Sequence, residues 1–332
     1  MIEADGLPGS RTLIAADIGG THARFALARI AGGQVTIDEP VVLRCADHAS
    51  LAAAWAAFGA RVARPLPCAA AIAVACPVGG DILKLTNNPW VIRPAALDAE
   101  LGLDAHVLIN DFEAVAHAVG ACGPAQFRHL CGPDTPLPAR GVISVIGPGT
   151  GLGVAMLLRE NGQVLASEGS HGDFAPVDAV DDAILAHLRR RFGRVSTERV
   201  VSGPGLADIR AVLADIAGHP APPLDDAALW QQALGGTDAL AVAALTRFCA
   251  ALGSFAGDIA LAHGAVAVVI GGGLGARLGD MLPQSAFAER FVAKGRFESL
   301  LRNLPVKLIS HAQPGLLGAV TAFARSPDRT VP

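Results

Sequence analysis

Hydrophobic and polar positions follow one pattern twice along this chain. Thr12-Leu-Ile-Ala-Ala-Asp17 reads as a strand and Ile18-Gly19-Gly20-Thr21 as a turn; Ala23 to Arg29 then resumes, with Phe25 and Leu27 alternating against small or polar neighbours. Gly33-Gln34-Val35 opens a third strand. From Gly141 the order repeats: Val142 to Ile146 is a strand, Gly147-Pro148-Gly149-Thr150-Gly151 a turn, Val154 to Leu158 a strand, and Gly162-Gln163-Val164 opens another. Gly20 and Thr21 lie 129 positions before Gly149 and Thr150, and Gly33, Gln34 and Val35 lie the same 129 before Gly162, Gln163 and Val164. Five matches at one offset predict a duplicated strand–turn–strand–turn–strand unit.

Strand and helix signals alternate after each copy. Ala69 to Ala75 is an apolar strand, and Leu97 to Leu103 lies near a helix. Val107 to Asn110 is a strand feeding a helix from Asp111, with Phe112, Val115, Ala116 and Val119 on one face. Later, Leu245, Phe248, Leu252, Phe255 and Ile259 keep helical spacing. Ala265 to Ile270 then reads as a buried strand, broken by Gly271-Gly272-Gly273 before another helix. The pattern predicts an α/β protein with mixed sheets in two lobes.

Composition narrows the function classes. The 332 residues carry a net charge of −4 and are 52% hydrophobic, too apolar for disorder. A pI near 6.2 and the lack of a long basic run argue against nucleic-acid binding. An 18-residue uncharged stretch, 259–276, is interrupted by His263-Gly264 and the glycine triplet, which argues against a membrane span. Acidic residues at the N-terminus oppose a signal peptide, and six cysteines without a CxxC pair read as small core residues of a reducing compartment. The expectation is a cytoplasmic protein.

A glycine–threonine hairpin tip has an ordinary explanation, since tight turns need glycine. Two such tips suggest more. Glycines let backbone N–H groups approach an anion, and a threonine hydroxyl adds a donor, so two tips facing each other could grip a polyphosphate. No Walker A sequence occurs. The partial Rossmann match at Gly271 to Ala276 is followed by only about 60 residues, too few for the rest of a two-half dinucleotide fold.

With these residues in view, the chain resembles a known family. Asp17-Ile18-Gly19-Gly20-Thr21 with His22-Ala23-Arg24, Gly147 to Gly153, and Gly271 to Gly273 look like the two phosphate motifs and the adenosine motif of actin-like sugar-kinase ATPases. More narrowly, several strings resemble bacterial glucokinases of the proteobacterial type. They are Cys76-Pro77, Thr86-Asn87, Asn110-Asp111-Phe112, Glu168-Gly-Ser-His171 with Asp173 to Pro176, Ser196 to Val200, and Ser202 to Leu206. The likeness runs from about Leu13 to Gly318. It implies a two-lobed, ribonuclease H-like fold: a small lobe of residues 11–121 completed by a C-terminal helix 314–326, a large lobe of 122–311, and a cleft between them. Hinges are expected near Ala121 to Pro124 and at His311 to Gly315.

The resemblance also implies an activity, ATP-dependent phosphorylation of D-glucose, and roles for residues. Phosphoryl transfer asks mainly for positioning and charge neutralisation, plus a carboxylate to accept the sugar's proton. Asp111 is the expected base; an ordinary helix cap is the alternative. Asn110, Asp111, Glu168, His171 and Glu198 are expected to bind glucose, with Asn87 lining the sugar side. For Glu168 and His171 the alternative is a solvated turn, and for Glu198 a helix-end carboxylate paired with Arg199. Ala16, Asp17, Ile18, Gly19, Gly20 and Thr21, with Gly147, Gly149, Thr150 and Gly151, should wrap the phosphates. Gly271, Gly272 and Gly273 should approach the adenosine. Asp17 is the expected partner of hydrated Mg²⁺, or else a strand-end turn cap. The cysteine cluster of zinc-binding relatives does not follow His171, so structural zinc is not expected. A homodimer is implied, as in relatives. Another hexose, an N-acetylated amino sugar, or a non-catalytic sugar sensor are the competing readings.

Overall fold

Alternation along the first strand decides how the first sheet is covered. In β1 (Arg11–Ile18), Leu13 and Ala15 point to one face and Ile14, Ala16 and Ile18 to the other, and all five are fully buried. A strand apolar on both faces belongs in the middle of a covered sheet. In this computed structural model, which describes residues 10–85, 88–219, 222 and 224–326, that is where it lies. Thr86 and Asn87 are outside the described residues.

The chain divides into two compact units, one built from the chain up to Cys122 plus the segment from His311 onward, the other from Gly123–Ser310. In the first unit, β2 (His22–Ala31), β3 (Gln34–Ile37), β4 (Val41–Arg44), β5 (Ala69–Val74) and β8 (Ala105–Asn110) join β1 in the order β3-β2-β1-β5-β8, with β4 on β2. β1 runs antiparallel to β2 and parallel to β5, and β5 runs parallel to β8. The short pair β6 (Leu83–Lys84) and β7 (Val91–Ile92) forms a separate ribbon. One face packs on α1 (Leu51–Val62), where Phe25 stacks on Phe58 and meets Trp55 edge-on. On the opposite face, Leu316, Ala319, Val320 and Phe323 of the C-terminal helix (Pro314–Arg325) meet alanines of the sheet. The segment expected near Leu97 to Leu103 is the short helix α2 (Leu97–Leu101). α3 (Asp111–Ala121) is buried more broadly than one stripe, because the C-terminal helix lies against it at Gly318 and Ala114.

The second unit repeats the plan. β9 (Phe127–Cys131), β10 (Val142–Pro148), β11 (Leu152–Leu158), β12 (Gln163–Ser167), β13 (Ala267–Ile270) and β14 (Val306–Ile309) lie in the order β12-β11-β10-β13-β14-β9. The duplicated meander is therefore real, with a parallel strand added beside the first strand of each copy. Gly33 and Gly162 both hold φ in the left-handed region, at 78° and 68°, which explains why glycine recurs there. The copies differ at their tips. Ile18 pairs with Ala23 across the first turn, whereas Pro148 pairs with Leu152 across the second, so the second tip is one residue shorter.

Helices α4 (Ala179–Phe192), α5 (Thr197–Val200), α6 (Gly205–Ile216), α7 (Asp226–Gly235) and α8 (Ala239–His263) follow the meander, and α9 (Gly272–Arg277), α10 (Phe287–Val292) and α11 (Glu298–Arg302) come between β13 and β14. α8 is long and apolar enough to cross a membrane, yet Leu245, Phe248, Leu252, Phe255 and Ile259 are all buried in this unit's core. It is a core helix, as its spacing predicts. The glycine triplet does not stand wholly outside the next helix: Gly272 and Gly273 form the first turn of α9.

Candidate active site

The expected site residues that the structure describes fall into two clusters, one per unit. In the first unit, β8 ends and α3 begins between Asn110 and Asp111. Both residue types favour a helix cap, but the structure gives that task to Asn110. Its Oδ1 accepts from the N–H groups of Phe112 at 2.8 Å and Glu113 at 3.2 Å, and its Nδ2 donates to the Cys76 carbonyl at 3.3 Å. The Asp111 side chain is thereby released from capping. Burial pushes its carboxyl up to about 7, with the negative charge of Asp17 adding to the rise; the N–H groups of Phe112 and Asp111 and the Asn110 side chain oppose it. An acid near neutrality can exchange a proton at physiological pH.

Asp17, next to last in β1, lies opposite Arg24 of β2, in register across the hairpin. The guanidinium lies 3.5 Å from Oδ2, and the Asp17 side chain is 20% exposed. Burial raises the Asp17 pKa and Arg24 counteracts it. Gly315, in the first turn of the C-terminal helix, is bare for a reason: a Cβ there would lie 2.7 Å from Asp17 Oδ2 and 2.8 Å from its Cγ. The Gly19-Gly20-Thr21 turn is closed by Gly19 N–H donating to His22 O at 2.9 Å. Buried Asn88 donates to Gly19 O at 3.3 Å, and Thr21 remains exposed. Ala16 and Ile18 bury their side chains in the core, so only their backbones could serve a nucleotide.

In the second unit, Gly149, Thr150 and Gly151 form the tip between β10 and β11, with Gly149 N–H donating to Gly151 O at 2.8 Å and Thr150 exposed. Gly271 N–H donates to Ile146 O at 2.8 Å, which holds the triplet beside β10. Glu168, His171 and Glu198 are gathered together. His171 Nε2 lies 3.6 Å from Glu168 Oε2 and 4.0 Å from Glu198 Oε1. Glu168 and His171 are 66% and 54% exposed and Glu198 26%, so the first two are open to a ligand while Glu198 is partly enclosed. Backbone bonds from Phe174 to Val195 and from Thr197 to Gly172 bind the two loops together, and Phe174 anchors them in the core. Glu198 does not depend on Arg199, whose guanidinium lies 4.0 Å over the Phe192 ring. Instead Glu198 Oε2 accepts from Leu152 N–H at 2.9 Å.

Asn88 and the Glu198–Leu152 bond are contributors that sequence reasoning missed, and so are the contacts that Arg24 and Gly315 make with Asp17. Only Arg24 left a signal, because a hairpin closing at Gly19 to Thr21 must bring it opposite Asp17.

A family model described as Glucokinase matches residues 14–326. Glucokinase of Zymomonas mobilis subsp. mobilis is 58% identical over 315 residues, which cover 94% of this chain and 97% of that one. The chain belongs to the glucokinase family. Glucokinase of Caulobacter vibrioides, 40% identical over 312 residues, covers 92% of this family member and 93% of its own length. Among solved structures, a glucokinase from an Antarctic psychrotroph superposes with a TM-score of 0.81 at 34% identity, over 95% of this chain and 99% of that one. A glucokinase from Balamuthia mandrillaris in complex with glucose has a TM-score of 0.80 at 20% identity, over 97% and 95%. These neighbours share the actin-like sugar-kinase fold.

Proposed function

We propose that this member of the family transfers the γ-phosphoryl group of ATP to the 6-hydroxyl of D-glucose, with Asp111 as the general base. The observation that carries the base assignment is the Asn110 cap, which leaves the half-buried Asp111 carboxyl near the charge of Asp17 with its pKa raised to about 7. A sugar hydroxyl is a weak nucleophile, and a carboxylate near neutrality can take its proton as the in-line attack proceeds. Glu168, His171 and Glu198, with Asn110 and Asp111, supply the polar partners that a sugar's hydroxyls require. Charge-assisted bonds of this kind contribute roughly 1.5–3 kcal/mol each. The two glycine–threonine tips supply backbone donors for phosphates, and the Gly271 to Gly273 segment approaches the adenosine. The Balamuthia relative's glucose, and the glucose and AMPPNP bound by a glucokinase of Streptomyces griseus with this fold (TM-score 0.61, 19% identity), support the choice of both substrates.

Mg²⁺ fits the donor set. Among the described residues no group of three or more His, Cys, Asp or Glu is placed to hold a metal ion. An ion that keeps most of its waters needs only one or two carboxylates, and Asp17, whose charge also raises the Asp111 pKa, offers one of them. Asp17 would hold that ion, which neutralises charge on the phosphates. A cytoplasmic homodimer belongs to the same proposal, and sedimentation of the purified protein measures the dimer.

A coupled ADP-release assay with ATP, Mg²⁺ and a panel of sugars tests the reading. Glucose should give the highest kcat/KM. Turnover confined to another hexose or an N-acetylated amino sugar would replace the substrate, and glucose binding without ADP release would mark a sensor.

A further inference from the structure

Gly151 stands in the phosphate tip of the second unit, but its contacts tie it to the sugar cluster. A Cβ at this position would lie 2.5 Å from Glu198 Oε2 and 3.3 Å from its Cδ. The backbone at Gly151 is not left-handed, so turn conformation does not require glycine there. The space is kept for the carboxylate. Oε2 in that space accepts from Leu152 N–H at 2.9 Å, which leaves Oε1 on the His171 side, 4.0 Å from Nε2. The segment bearing Glu198 also holds the other side of the tip, since Gly203 N–H donates to Gly149 O at 2.8 Å. Trp230 Nε1 in turn donates to Gly203 O at 3.0 Å. Phosphate tip and sugar cluster are thus one hydrogen-bonded assembly within this unit.

We infer that Gly151 is a positioning residue for glucose: by leaving room for Glu198, it lets that carboxylate bond Leu152 N–H with one oxygen and present the other to the sugar. The inference rests on the proposed glucose kinase reading and deepens it. Its distinguishing consequence is that a substitution in the phosphate tip impairs sugar binding with no nucleotide present. Because the displaced atoms end a flexible side chain, Gly151→Ala is accommodated by swinging the carboxylate away, which the fold tolerates and the site does not.

The experiment is calorimetric titration of glucose, without ATP, into wild type, Gly151→Ala, Glu198→Ala and the double variant, each checked by thermal melting. Gly151→Ala should raise the glucose dissociation constant about tenfold or more, the equivalent of one lost hydrogen bond. On the Glu198→Ala background the same change should add less than about twofold, because the partner it displaces is gone. Wild type that binds glucose alongside Gly151→Ala of equal affinity overturns the positioning role alone. Wild type that binds no glucose overturns the functional reading itself. Should Gly151→Ala fail to fold, recovery of folding in the double variant supports the clash with Glu198, and its failure to recover overturns it.

Discussion

The two clusters treat their carboxylates in opposite ways. In the first unit Asp17 and Asp111 are desolvated, each raised in pKa by burial, with Arg24 set against Asp17. In the second unit Glu168 and His171 stand open to solvent, and Glu198 is held by a backbone N–H. The difference fits the two kinds of work proposed for them. A base must be poised to change charge, which burial and a like charge achieve. A sugar-binding ring must offer fixed hydrogen-bond partners, which loops pinned to a core provide. Changes at Asp17 and at the proposed base should therefore act mainly on kcat, and changes in the second cluster mainly on the KM for glucose.

The largest expected effect is at Asp111. Asp111→Ala should cut kcat by about 10²- to 10⁴-fold in steady-state assays while the protein melts as a folded domain. Near-normal turnover would remove Asp111 as the base. Next is Glu198→Gln, which should raise the KM for glucose about tenfold or more with a smaller change in kcat; an unchanged KM would break the division of labour. Gly315→Ala pushes on the Asp17 carboxylate from within its own unit, so kcat should fall about tenfold with the glucose KM nearly constant. If the glucose KM rises instead, the first cluster does more than chemistry. The smallest effect is on stability. A carboxyl whose folded pKa lies above its unfolded value destabilises the fold increasingly as pH rises from about 4 to 7. Asp111→Asn should accordingly melt higher than wild type at pH 8, with the gap closing toward pH 4. The gain is at most a few kcal/mol, at about 1.4 per pKa unit.

Much of this architecture is legible in the order of residues alone. The glycine–threonine echo correctly implies two copies of a meander, because left-handed positions such as Gly33 and Gly162 restrict the choice of residue. The apolar spacing of α8 likewise identifies its buried face. The register of the two tips is not legible, since backbone bonds set the turn length, Gly19 to His22 in one copy and Gly149 to Gly151 in the other. Local propensity cannot decide between Asn110 and Asp111 as the cap, because both suit that position. The phase at which β8 ends makes the choice, and with it decides which side chain is left off the cap. The Glu198–Leu152 bond joins residues 46 apart, a contact that exists only once the loops are folded onto β11. The contact of Gly315 with Asp17 spans still more of the chain and leaves no local pattern.

The central claim, that Asp111 is a desolvated base for a glucose hydroxyl, is tested most directly by the pH dependence of kcat/KM for glucose at saturating MgATP. The account predicts a rise with pH governed by one group above the ordinary carboxylate range, absent from the residual activity of Asp111→Ala. A profile that is flat from pH 5 to 8, or a rise near 7 that survives in Asp111→Ala, would contradict it.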